Sequence, residues 1–144
     1  MEHGVGDTAE IDQLIASFFE LFGNRGGRRP DLGRIRELLV PEGVLARCVT
    51  SIPEVSGLED FIGPREELLS SGTLTDFEEV EISHHTQVWG HLAHRLSRYQ
   101  KSGSLRGTAF VTRGIKSFQL VETPGGWRIL SMTWDDEREG FSLD

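Results

Sequence analysis

The stretch GGWRILSMTWDDE, Gly125 to Glu137, decides how the rest of the chain reads. Two adjacent glycines make a tight turn, and a strand-like alternation follows before an acidic run ends it. On strict alternation Trp127, Ile129, Ser131 and Thr133 share one face, and Arg128, Leu130, Met132 and Trp134 the other. Working backwards, Gly107 to Glu122 reads as the preceding strand, long enough to bend at Gly107 or Gly114. His91 to Lys101 and Glu78 to Val88 read as two more, with turns at Ser102 to Ser104 and near Gly90. In the earlier of these two, Val80, Ile82, His84, Thr86 and Val88 form the apolar face, opposite Glu79, Glu81, Ser83, His85 and Gln87. In the later one Arg95, Ser97 and Tyr99 share a face, opposite His94, Leu96 and Arg98.

The first half of the chain has a different period. Ile11, Leu14, Ile15, Phe18, Phe19 and Phe22 fall at helical spacing, stopped by Gly23 and Asn24. A short helix is expected over Asp31 to Leu39 and a short strand over Val44 to Val49. Another helix begins near Gly57 and is kinked or restarted at Pro64. Helices first and antiparallel strands afterwards give an α+β class, read as one domain over 1–144 with a flexible arm at 1–6 and a tail at 138–144. Both faces of the last two strands carry large apolar groups. The outer face is therefore expected to meet a second copy of the chain, a homodimer.

The charge excludes one class of partner. Against 23 acidic residues stand 15 basic ones, a net charge of −8, which argues against a nucleic-acid binder. The segment RGGRRP at Arg25 to Pro30 lacks the lysine and hydroxyl residue of a phosphate-binding loop, so no nucleotide cofactor is expected. The single Cys48 forms no internal disulfide. With no signal-like start and no long apolar run, a cytoplasmic location without membrane attachment is expected.

In order and motif the chain resembles the nuclear transport factor 2-like superfamily, in its SnoaL-like and uncharacterised bacterial branches. The resemblance rests on the helix through Phe18, Phe19 and Phe22, on LVPEGVL at Leu39 to Leu45 and on the Phe61 to Leu69 helix. WGHLAHRLSRY at Trp89 to Tyr99 and the closing GGWRILSMTWDDE complete it. It implies a cone: a strongly curved antiparallel sheet wrapped around three N-terminal helices, often dimeric, with a pocket at the wide end. The ketosteroid isomerase branch carries a catalytic tyrosine on the first helix, where this chain has only phenylalanines.

The acid–base candidates are His84, His94, Tyr99 and Asp135: imidazoles that titrate near neutrality, the sole tyrosine, and a carboxylate at the sheet's end. Phe18, Phe22, Phe61, Arg95, Ser97 and Trp134 are the candidate pocket residues. No zinc-like spacing joins the histidines, so no metal site is expected. Three functional readings stay open. They are a binding domain for a mainly apolar small molecule, an acid–base lyase, isomerase or hydrolase, and a non-catalytic dimeric interaction module.

Overall fold

The apolar stripe of the first helix is buried as its spacing requires. In the computed structural model of the chain, which describes residues 5–144, α1 runs Val5–Glu20 and seats Ile11, Leu14, Ile15, Phe18 and Phe19 in the core. Residues 1–4 of the expected arm lie outside the described residues, and residues 5 and 6 belong to α1. The second helix, α2, runs Leu58–Ser70 with Pro64 inside it, neither broken nor restarted there. The segment expected as a third helix forms a 3-10 turn over Leu32–Glu37.

Six strands follow a single order: β1 (Leu39–Arg47), β2 (Glu54–Ser56), β3 (Leu74–Trp89), β4 (Leu92–Leu105), β5 (Thr108–Thr123) and β6 (Gly126–Asp136). They lie side by side as β2-β1-β6-β5-β4-β3. This overturns the expected cone. The sheet is open and not strongly curled, and its two edges, β2 and β3, do not pair. A β2 of only three residues has too few backbone groups to carry pairing round to the other edge. The sheet is also not wholly antiparallel, because β1 runs parallel to β6. The α+β class stands, with few helices on a sheet.

Register shifts fall at several places in the sheet, and two single-residue β-bulges among them set which side chains of β6 and of the middle of β3 face inward. In β6, Ile129 faces Leu120 and Ser131 faces Gln119, so Leu130 is an extra residue. Past it the alternation inverts. Trp127, Ile129, Met132 and Trp134 are all buried on the inner face, not divided between two. In β3, Glu81 faces Tyr99 and Ser83 faces Arg98, which leaves Ile82 as the extra residue. The inner face of β3 therefore begins with Phe77, Glu79 and Glu81, and Val80 and Ile82 point outward.

The β4–β5 hairpin turns at Arg106 and Gly107, three residues later than expected. Both have positive φ (49° and 83°), the signature of a two-residue loop whose twist matches its strands. Farther along β5, Gly114 lies under the Tyr99 ring, and a Cβ there would collide with that ring and with the Asp135 carbonyl.

One residue ties the helices to the edge strand. Buried Asn24, just past α1, donates to the carbonyls of Leu69 (3.0 Å) and Leu74 (2.8 Å) and accepts from the Phe77 N–H (2.7 Å). Asn24→Ala strips all of these bonds and leaves buried backbone groups unpaired. It is expected to destabilise the fold by about 3 kcal/mol, at roughly 1 kcal/mol per bond, read as a lower urea midpoint with an unchanged slope.

Candidate functional site

Between α2 and the inner face of the sheet lies a cavity of about 480 Å³. Its walls are apolar: Phe22 from the end of α1, Phe61, Leu68 and Leu69 from α2, Phe77 from β3, and Met132 and Trp134 from β6. The bulge at Leu130 is what aims the last two inward. Phe61 stacks edge-on against both Phe22 and Trp134, with ring centroids 6.1 and 5.9 Å apart.

The floor is polar. Lys116 and Glu79, both almost fully buried, lie 2.8 Å apart. Their contact is close but poorly aligned, and Glu79 Oε1 finds no hydrogen-bond partner among the described residues. Burial pushes the Lys116 ammonium below its ordinary pKa, against the pull of Glu79. Its Nζ also sits 4.1 Å from the centre of the Tyr99 ring and 5.1 Å from that of Trp134. Beside this pair, Asp136 accepts hydrogen bonds from the Tyr99 hydroxyl and, at 2.8 Å, from Lys101.

Two arginines complete the lining. Arg47 pairs with Glu54 at 2.5 Å. Arg65 lies over Phe61, its Cζ 3.9 Å from the ring centre, and 5.3 Å from that of Trp134. Burial, then the neighbouring charge of Arg47, holds its pKa below the ordinary arginine value.

The residues singled out in the sequence distribute as follows. Phe22, Phe61 and Trp134 line the cavity, and Tyr99 supports its floor. Phe18 lies beneath, packed on Phe22 and Phe118. Arg95 and Ser97 belong to a separate buried cluster. Arg95 donates to Glu81 (2.7 and 3.0 Å), Asp12 (2.6 Å) and Thr86 (3.0 Å), and Ser97 donates to Glu81. Burial opposes the Arg95 charge, yet the bonds to Glu81 and Asp12 outweigh it and raise its pKa. His84 contacts Glu81 at 3.3 Å and is exposed, while His94 bonds Ser117 on the other face of the sheet, so the two do not converge. Asp135 pairs with Arg138, and its neighbour Asp136 reaches the cavity instead.

Sequence reading missed Glu79, Lys116, Lys101, Arg65 and Asp136. For Asp136 the bulge hid the phase. For Glu79 and Lys116 the missed signal was the pair itself, an acid and a base on strands that β4 separates. Among the described residues no group of three or more His, Cys, Asp or Glu is placed to hold a metal ion. A second hollow, about 660 Å³, lies between the 24–30 loop and α2, but its lining is mostly polar and its Arg28 is already bonded to the carbonyls of Glu20 and Gly23.

Tyr99 carries a pH signature. Burial first, then its bond to Asp136 and the nearby carboxylates, raises the phenol above its ordinary value of 10.0. The native state keeps a proton that the unfolded state releases, so this contribution to stability is whole below about pH 10 and is lost as pH rises above it. Tyr99 is the only tyrosine, so phenolate absorbance reports on it alone. The absorbance is expected to rise together with loss of circular dichroism. An ordinary titration near pH 10 in the folded protein would contradict the burial.

No protein-family model matches the chain, and no curated protein matches it. Solved structures do. A nuclear transport factor 2-like protein from Salmonella enterica serovar Typhimurium superposes with a TM-score of 0.77 at 16% identity, covering 96% of each chain. A protein from Kribbella flavida gives 0.74 at 16% identity over 92% of each chain. A cystatin-like protein of unknown function from Nostoc punctiforme gives 0.73 at 15% identity, covering 95% of this chain and 96% of its own. At such identities the likeness is one of architecture, and the chain has the nuclear transport factor 2-like, cystatin-like fold.

Proposed function

We propose that this chain is a small-molecule binding protein whose ligand, mainly apolar, occupies the cavity beneath α2. The observation that carries the reading is the mismatch between walls and contents. Aromatic and aliphatic side chains that would otherwise close into a core surround about 480 Å³, within the range of small-molecule sites, about 300–1,000 Å³. The fold alone does not choose among functions, so the reading rests on the site.

A second reading, acid–base chemistry on the bound molecule, is favoured by Glu79. Its Oε1 is buried, at the cavity, and without an aligned donor. On this reading Glu79→Gln abolishes turnover of a cavity-bound molecule and leaves its binding intact.

The outer face supports a proposal of its own, pairing with a second copy of the chain. Val80, Ile82, Leu92 and Leu96 leave it with exposed apolar groups, Ile82 at 50%. No helix among the described residues is long and apolar enough to cross a membrane.

The binding reading is tested with phenylnaphthylamine, an uncharged probe that fluoresces in apolar surroundings. Wild type is expected to bind one probe per chain, and Leu68→Trp, which fills the cavity from α2, to weaken binding about tenfold or more. Equal binding by both proteins, or none by wild type, would overturn it. The pairing is tested by sedimentation: a dimer is expected for wild type and a monomer for Leu96→Glu, with a wild-type monomer at tens of micromolar the contrary result.

A further inference from the structure

We propose that the molecule held in the cavity is an apolar acid, with one carboxylate on Arg65 and its apolar body against Phe61, Met132 and Trp134. The proposal rests on the reading of the cavity as a small-molecule site and names the chemical class of its occupant.

The charge around the cavity is the first argument. The chain as a whole carries −8. The lining nevertheless holds four cations, Arg47, Arg65, Lys101 and Lys116, against two carboxylates, Glu79 and Asp136. A positive lining in an acidic protein selects for anions at that place and against them elsewhere.

Pairing separates the four cations. Lys116 has Glu79 at 2.8 Å, Lys101 has Asp136 at 2.8 Å, and Arg47 has Glu54 at 2.5 Å. Among the described residues Arg65 has no carboxylate partner. Its one side-chain hydrogen bond runs from Nη1 to the Phe61 carbonyl at 3.2 Å, which leaves most of its N–H donors uncommitted. Glu79 and Glu54 act on this partly buried guanidinium only from beyond contact distance, after burial and the repulsion of Arg47, and an incoming anion in direct contact relieves it.

The geometry suits a carboxylate. Arg65 projects from α2 and lies over the Phe61 ring, so its planar fork is held before any ligand arrives. Such a fork meets a carboxylate with two parallel hydrogen bonds. One unpaired cation calls for one negative charge, and the walls beyond it are aromatic and aliphatic. A small polar anion would leave those walls wet, and a neutral hydrocarbon would leave Arg65 unpaired.

The test compares naphthoate with naphthamide, which differ in charge and little in shape. Calorimetry on the wild-type protein is expected to show naphthoate binding at least about tenfold more tightly, with the advantage shrinking as salt is added. Arg65→Gln is expected to erase the preference, bringing naphthoate to the affinity of naphthamide in the same variant, and Arg65→Lys to retain part of it. Equal affinities in wild type, or a preference that survives in Arg65→Gln, would overturn the assignment while the cavity remains a small-molecule site. Failure of the two naphthyl compounds and phenylnaphthylamine alike to bind would overturn the small-molecule reading and this one with it.

Discussion

Glu79 and Glu81 point from β3 toward the helices, and the sheet cannot bury its inner face until each meets a cation. Lys116 from β5 meets the first and Arg95 from β4 the second. An uncompensated charge in either place would be destabilising by about 3–5 kcal/mol. Much of the architecture follows from this matching. It requires β3, β4 and β5 in one register, because only then do the acids fall opposite their bases. It also brings α1 into the same arrangement, since Asp12 shares Arg95 with Glu81. Around Arg95 each carboxylate is hydrogen-bonded. Around Lys116 one carboxylate oxygen is not, and the cavity lies there.

The opening of β6 carries a second tie between α1 and the sheet. Trp127 donates its backbone N–H to Glu10 at 2.6 Å and its indole N–H to Asp7 at 3.1 Å. The acidic first turns of α1, which suit the positive end of its dipole, thus also receive donors from the sheet. The turn before Trp127, with Gly126 at φ 112°, aims the strand at these carboxylates.

How much of this was legible depends on where period and phase could be read. The α1 stripe, the four long strands and their order were legible, because helical and two-residue periods are written directly in Ile11 to Phe22 and in runs such as Glu78 to Val88. The phase of β3 and β6 was not. Ile82 and Leu130 are single extra residues that look like ordinary strand members, and each inverts the faces of everything beyond it. That is why Met132 and Trp134 seemed to share a face away from Trp127, and why Asp135 stood in for Asp136. The cone came from the resemblance to a superfamily, and nothing in the residues required it. Arg65 went unnoticed for another reason. Its meaning lies in having no partner, a property of the folded surroundings and not of local sequence.

An open sheet leaves a liability that the cone would have reduced. The whole of β3, sixteen residues, forms an edge whose outward backbone groups invite another strand. Its first part is covered by the segment after α1. There Asn24 bonds the Phe77 carbonyl, the Gly26 N–H bonds Asp76, and Arg25 pairs with Glu78. Farther on, the bulge at Ile82 breaks the even spacing that a flat incoming strand would need. The same extra residue that turns Val80 and Ile82 outward, and so makes the edge more apolar, also spoils it as a template for aggregation. Deleting it would even out the strand from Glu78 to Trp89 and, with it, restore a surface on which chains stack.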